Sequence, residues 1–381
     1  MIRLTIPSID DDDLEAVRET LLSGQLVQGH NVAAFERAVA EYVGVAHAVA
    51  VSNCTSALFL ALCALDVRTG DKIAVTAYSW PATANVIVLC GAEPVFVDID
   101  AATFNMDAGL LDDALKTQSI KAILPVHAFG AMADMRSISE VASRHRVPII
   151  EDAACALGAQ LEGRHAGTWS KAGCFSFHPR KAVTTGEGGV VTTNDAAFAA
   201  RIRALRNHGQ DPQSPTPDFI MAGHNMRLTE FQGALGRTQM AKLERIIGRR
   251  TLLASNYVRL LEPHDLAVQG RPQSSRHVYQ SFVTLLPREL RHQQRYVIGC
   301  LARAGIESTI GTYHVPLTRF YRERFGHRPG DFPVCDEIAA RAISLPLHEA
   351  LTEDAQGTVV SALLSAIQEA SERGVVMAAR E

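Results

Sequence analysis

At 381 residues the chain is long enough for one large hydrophobic core and a smaller second one, because single cores stop growing beyond roughly 250–300 residues. Hydrophobic residues make up 47% and charged residues 20%, and a formal net charge of -4 exerts no long-range pull on a polyanion, which argues against a nucleic-acid partner. The start, MIRLTIPSIDDDD, lacks the basic end and apolar length of a signal peptide, and runs such as FLALCALDV and VIVLC are too short to cross a bilayer. A cytoplasmic protein with no membrane partner is expected. The cysteines at 54, 63, 90, 155, 174, 300 and 335 are odd in number and scattered through apolar runs, and no CxxC or HExxH pattern appears, so neither a disulfide framework nor a metal site is expected.

The acidic run DDDDLEAVRETLLSG suits the positive end of a helix, and Leu14, Val17, Leu21 and Leu22 recur at helical spacing before Gly24. A second helix is predicted over 32–42. Strand and helix patterns then alternate, with strands over 48–51, 73–75, 95–97, 120–126 and 147–150 and helices over 57–65, 82–90 and 135–143. This order predicts an α/β fold with a mainly parallel central sheet flanked by helices. AGCFSF and GGVVTT read as two more strands, and DAAFAARIRALRNHG as a helix. The polar stretch QDPQSPTPD (210–218) reads as a surface loop. A long helical segment from Arg227 leads into a smaller C-terminal α+β domain, with a strand at HVYQSFVTLL, a helix over 293–304 and a last helix over 354–370. The boundary is placed at 245, giving a large domain over 1–245 and a small one over 246–381.

Four stretches carry chemistry. In VPIIEDAACALGA an apolar strand runs into two carboxylates, Glu151 and Asp152, and in open α/β sheets ligands gather beyond the carboxyl ends of the strands. A buried anion there needs a cationic or protonated partner. An ion pair or helix cap that holds the next loop satisfies the pattern equally well. SNCTSA (52–57) follows a strand and opens a helix, so its hydroxyls and free N–H groups suit a phosphate as well as ordinary capping. It lacks the GxxxxGK[ST] pattern of nucleotide-binding P-loops. TAYSWPATAN sets Trp80 where an aromatic stacks on a flat cofactor or plugs a core. FSFHPRKAVTTGEGGVV holds one amine, Lys181, which alone reads equally as a solvated surface charge. Together, a phosphate cradle, an aromatic face, a carboxylate for a ring nitrogen and an amine are the set that pyridoxal phosphate requires.

The chain resembles the DegT/DnrJ/EryC1/StrS family of pyridoxal-phosphate sugar aminotransferases, of fold type I. The resemblance rests on blocks that recur in order: GHNVAAFE, SNCTSA, TAYSWPATAN, GAEPVFVDID, VHAFG, IEDAACALGA, SFHPRKAVTTGEGGVVTTN, LRNHG, GHNMRLTEFQGALGRTQ, GTYHVPL and ISLPLH. It implies Lys181 as the Schiff-base lysine, Asp152 as partner of the pyridine nitrogen, Trp80 as the stacking residue, and Thr55, Ser56 and Ser176 as phosphate ligands. It further implies that Asn225 reaches the cofactor phosphate of a neighbouring subunit, so that a homodimer completes each site. Arg227 and Glu230 match framework positions. Two positions depart from the family pattern. Cys54 stands where glycine is common, and Cys155 where a Gln or His often lies near the cofactor's phenolic oxygen.

The implied reaction moves an amino group from a donor, L-glutamate in the family, to a nucleoside-diphosphate keto-sugar. HPRK followed by TTGEGG is most similar to the branch acting on 4-keto-6-deoxy sugars, including perosamine synthases. A 3-keto sugar or a cyclitol ketone would need little change in the cofactor motifs. Sugar dehydration is the poorer match because that branch carries histidine at the lysine position, and a non-catalytic regulatory homologue would not need the whole set. His178, Arg180, His314 and the 210–218 loop are candidates for substrate contact, with loop-stabilising roles as the alternative.

Overall fold

The computed structural model describes residues 1–378. Its organising sheet joins two parts edge to edge. Four strands run in the order His47–Val51, Gly189–Thr193, Ala172–Ser176, Ile150–Asp152, and three more in the order Ala122–Leu124, Lys72–Thr76, Glu93–Val97. Bridges Ile123↔Ile149 and Val126↔Asp152, with Ile123 N–H donating to the Pro148 carbonyl at 2.9 Å, connect the parts. All strands run parallel except Gly189–Thr193, which is antiparallel to both neighbours. The expected mainly parallel sheet is present, and the exception has a local cause. A parallel return would need a crossover over the face of the sheet, usually a helix, whereas residues 177–188 form no helix and turn directly back.

The pleat divides the core. Val49, Val51, Ile73, Val75, Cys174 and Val191 enter one apolar cluster, while Ala48, Ala50, Ala74, Phe175 and Val190 enter another on the opposite face. Near-continuous apolar strands therefore follow from burial on both sides. Helices including Cys54–Ala64, Ala82–Leu89 and Ala196–Arg206 pack on the first face, and His30–Val43, Ala108–Thr117 and Met135–His145 on the second. The Ala108–Thr117 helix has no counterpart among the segments read from the sequence.

The long helix runs from Glu230 to Leu261. Met240, Leu243, Ile246 and Ile247 belong to the second cluster, and Leu253, Ala254, Tyr257 and Leu261 to a third core. That third core lies under an antiparallel sheet ordered Phe282–Leu285, Ala342–Leu345, Thr309–Ile310, with helices Gln294–Arg303 and Glu353–Ala378 against it. The N-terminal residues join this region: Ile2 pairs with Ile306, and Leu347 N–H donates to the Leu4 carbonyl. No described helix is long and apolar enough to cross a membrane.

Glu230 locks the N-terminal helices to the long helix. Its buried carboxylate accepts the N–H groups of Gly29 at 2.7 Å, Asn31 at 2.5 Å and Val32 at 3.2 Å, capping the helix His30–Val43 where its dipole favours an anion. Glu230→Ala should therefore lower unfolding stability by about 2–4 kcal/mol, because buried donors are orphaned. Urea denaturation of the variant measures the loss, and an unchanged midpoint would remove this anchor.

Candidate active site

The parallel strands His47–Val51, Lys72–Thr76, Ile150–Asp152 and Ala172–Ser176 deliver their carboxyl ends to one rim of the sheet, and the chemistry-bearing residues gather there. The two carboxylates of one strand separate because successive side chains face opposite sides. Glu151 turns inward and is fully enclosed. It accepts His127 Nε2 at 2.9 Å, Gly167 N–H at 2.7 Å, Trp169 N–H at 3.0 Å and Ser170 Oγ at 2.7 Å, which pins the chain at 167–170. His127 Nδ1 accepts the Ala133 N–H at 3.2 Å, so Nε2 carries the proton given to Glu151. Glu151 is a framework residue.

Asp152 faces the rim. Thr83 Oγ1 donates to Oδ2 at 2.7 Å and Ala154 N–H to Oδ1 at 3.1 Å, and no described cationic side chain forms an ion pair with it. Burial pushes its carboxyl pKa up, with the Thr83 and Ala154 hydrogen bonds and the Lys181 charge opposing. Such a carboxylate is suited to a ligand that brings its own cation, as a protonated pyridine does.

Lys181 lies on the loop after Ser176. The loop closes on itself: Phe177 N–H donates to the Gly188 carbonyl at 2.9 Å, Thr185 N–H to the Phe177 carbonyl at 2.9 Å, and Lys181 N–H to the His178 carbonyl at 2.8 Å. Gly186 takes a left-handed φ of 80°, which a side chain would resist. A Cβ on Gly189 would come within 2.4 Å of the Asn53 backbone, so only glycine lets the returning strand touch the start of helix Cys54–Ala64. Lys181 Nζ reaches Cys155 Sγ at 3.1 Å. Burial alone would lower the pKa of the amine, but the sulfur of Cys155, then Cys54 and Asp152, reverse this and the net direction is up. The amine becomes nucleophilic only after losing that proton.

At the start of helix Cys54–Ala64, Asn53 Oδ1 caps the Ser56 N–H at 2.8 Å, and Ser52 Oγ lies 2.9 Å from Ser56 Oγ. The N–H groups of Cys54 and Thr55 have no intrahelical acceptor and point outward with the positive end of the dipole. Register pairing sets Gly189 opposite both Val51 and Ser176, which brings Ser176 beside this helix start. Trp80 is 60% exposed and meets Tyr313 edge-on at 5.4 Å. Thr83, bonded to Ser79 Oγ at 2.9 Å, ties that loop to Asp152. A buried carboxylate outside any ion pair, an amine, an aromatic face and a helix start rich in donors thus share one rim, and these residues fit pyridoxal phosphate.

A family-model match covers residues 7–364 under the description DegT/DnrJ/EryC1/StrS aminotransferase family. The chain belongs to this family. It is 36% identical over 371 residues to GDP-perosamine synthase of Caulobacter vibrioides, covering 95% of this chain and 97% of that protein. Among solved structures it is similar to Helicobacter pylori PseC, an aminotransferase involved in pseudoaminic acid biosynthesis, with TM-score 0.91, 27% identity and coverage of 97% and 99%. It is also similar to Spr1654 of Streptococcus pneumoniae in its PLP form, with TM-score 0.91, 26% identity and coverage of 96% and 98%.

The remaining candidates in this family member fall in three places. His178 and Arg180 lie on the lysine loop itself. The His178 ring accepts the Arg180 N–H through Nδ1 at 3.1 Å, and burial lowers its pKa. Asn225 is exposed, and its backbone bridges Asn207, whose side chain accepts Arg227 Nη1 at 2.6 Å. His314 pairs with Tyr78 in a two-stranded ribbon, and its ring turns inward, 5.9 Å from Phe332. It lies 3.0 Å from the Asp336 carboxylate without hydrogen-bond alignment, and burial lowers its pKa. Two contributors carry no role in the sequence reading. Asn53 has the ordinary signal of an N-cap before an apolar run, whereas Thr83, in the first turn of the helix Ala82–Leu89, meets Ser79 of the preceding strand only through the turn at Trp80 and Pro81, which leaves no periodic signal.

Asp152 sets a stability test for the cofactor-free chain. Its folded pKa is raised, so its contribution to stability is full below the ordinary carboxylate value of 3.8 and is lost as pH climbs through the raised value. Asp152→Asn removes that titration. Cofactor-free Asp152→Asn should melt higher than the parent at neutral pH, with the gap closing in acid. A lower melting point at neutral pH would mean that Asp152 is paired after all.

Proposed function

We propose that this aminotransferase transfers an amino group from L-glutamate to a nucleoside-diphosphate keto-sugar, a 4-keto-6-deoxy sugar of the perosamine type. The observation that carries the site is the presence on one rim of Lys181, whose amine lies 3.1 Å from Cys155 Sγ, and of the buried Asp152, each carrying a charge that acts on the other. Whole-length similarity to GDP-perosamine synthase supports the substrate class. The cofactor is pyridoxal 5′-phosphate, which supplies an electron sink for the charge left when a Cα proton departs.

The chain's own residues do the rest. Asp152 holds a protonated ring nitrogen, and Thr83 and the Ala154 N–H fix the carboxylate for that task. Thr55, Ser56 and Ser176, with the first-turn N–H groups of the Cys54–Ala64 helix, hold the phosphate. Trp80 covers one ring face and keeps water from it. Lys181 would anchor the cofactor, then take the donor's Cα proton at Nζ and deliver it to the cofactor carbon on the far side of the donor nitrogen, acting as base and acid in turn. Cys155 keeps the amine within the site. His178, half-buried, and Arg180, exposed, lie beside Lys181 and are assigned to the sugar nucleotide, and His314 pairs with Tyr78 behind the Trp80 loop.

A homodimer fits this reading. Asn225 is exposed, as a residue serving a neighbour's phosphate must be, and exposed Phe219, Ile220, Leu22 and Val27 offer apolar area for association. Seven unpaired cysteines suit a reducing cytoplasm.

The protein loaded with cofactor should absorb in the visible, and L-glutamate should bleach that band. Lys181→Ala should abolish turnover, and unchanged transamination would remove Lys181 from the mechanism. Mass spectrometry across nucleotide-linked keto-sugars identifies the acceptor, and conversion of a cyclitol ketone alone would overturn the substrate class. Co-expression of Lys181→Ala with Asn225→Ala tests sharing between subunits. Each mixed dimer then keeps one native site, so activity should reappear, and its absence would rule out the shared site.

A further inference from the structure

The Lys181 loop has a second support, from a segment more than ninety residues away. Beside the local turn bond from Lys181 N–H to His178, the peptides that flank the lysine are held by a single side chain. Gln280 Oε1 accepts the Ala182 N–H at 3.0 Å, and Gln280 Nε2 donates to the Arg180 carbonyl. A primary amide presents an acceptor and a donor side by side, so it grips the backbone on both sides of Lys181 as a neighbouring strand would. We infer that Gln280 is a positioning residue for the reacting amine: it sets where the Lys181 side chain leaves the loop.

Gln280 is itself firmly placed. Arg250, buried in the long helix, donates through Nη1 to the Gln280 carbonyl at 3.1 Å and the Tyr279 carbonyl at 3.2 Å. Val278 N–H donates to the Gly130 carbonyl at 3.0 Å and Ser281 N–H to the Phe129 carbonyl at 3.3 Å. A Cβ on Gly130 would come 2.8 Å from the Gln280 nitrogen, so the two chains approach as closely as glycine allows. Tyr279 adopts a φ of 48°, a conformation that non-glycine residues rarely take, and its ring stacks on His277 at 3.9 Å. Surroundings that hold a residue in such a conformation over-determine it. Gln280 lies just before the strand Phe282–Leu285, so the grip joins the lysine loop to the antiparallel sheet of the third core.

The inference rests on Lys181 as the reacting amine, and the test separates the two. In full-length protein, Gln280→Met keeps the side chain's length and loses both bonds, while Gln280→Glu keeps the acceptor for Ala182. Hydrogen exchange at the Ala182 amide, read without cofactor, should quicken by roughly five- to tenfold in Gln280→Met, as expected for one lost hydrogen bond, and stay near the parent's in Gln280→Glu. With cofactor, Gln280→Met should shift the pH at which the visible band titrates and lower kcat by roughly ten- to a hundredfold, leaving the donor KM within about twofold. Gln280→Glu should fall between the parent and Gln280→Met. Parent-like exchange at Ala182, or a parent-like band titration and kcat in Gln280→Met, would overturn the inference. So would an equal loss explained by a lower melting point. Borohydride reduction of the parent decides the underlying reading: if no cofactor becomes fixed to Lys181, that reading fails and the functional half of the inference falls with it, whatever the exchange at Ala182 shows.

Discussion

A carboxylate buried at the end of a parallel strand, hydrogen-bonded but held in no ion pair among the described residues, is the constraint on which the site depends. Taking such a charge from water costs several kcal/mol unless something positive meets it. Thr83 and the Ala154 N–H supply hydrogen bonds to Asp152 but no charge. The Lys181 charge offsets part of that cost, and burial still leaves the carboxyl pKa raised. Its neighbour Glu151 is equally buried, yet four donors hold it in the framework. One step along a strand thus separates the carboxylate that builds the chamber from the one that serves it.

The lysine loop meets a second demand, which is to hold a buried amine on the same rim as that carboxylate. Backbone bonds from Phe177 and Thr185 tie the loop's base, and the tip carrying Lys181 is held from outside by the Gln280 amide. The tip thus adds to its own bonds, from Lys181 N–H to the His178 carbonyl and from Arg180 N–H to His178 Nδ1, a hold from the segment that leads into the smaller sheet. The raised pKa of Lys181 belongs to the cofactor-free chain, in which the sulfur of Cys155 and the Asp152 carboxylate outweigh burial.

Much of this was legible in the sequence, and the reasons differ by element. The strands 48–51, 73–75 and 95–97 lie within the observed His47–Val51, Lys72–Thr76 and Glu93–Val97, because burial on both faces leaves continuous apolar runs. The strand expected over 147–150 sits further on, at Ile150–Asp152, so that both carboxylates belong to it rather than follow it. Which of the two would face the rim could not be read from adjacent letters, since the answer depends on the pleat. The two-residue strands, such as Tyr313–His314 and Thr309–Ile310, are too short to show a period. Gln280 gave no local signal, because its partners, Arg180 and Ala182, are a hundred residues distant in the chain and it offers no charge or motif. Ordered motifs identified the chemistry because several distant segments must each be right at once.

The reversed strand Gly189–Thr193 bears on how the molecule comes to exist. It sits between His47–Val51 and Ala172–Ser176, so the start of helix Cys54–Ala64 and the lysine loop meet only after about 140 intervening residues have been drawn together. Contacts of such sequence separation form late, since the entropy of closing the loop is lost before the pairing returns anything. The rim beside the start of helix Cys54–Ala64 therefore depends on the strand Gly189–Thr193 being in place between its two neighbours. A chain that ends before residue 189 lacks the strand that brings the two sides of this rim together.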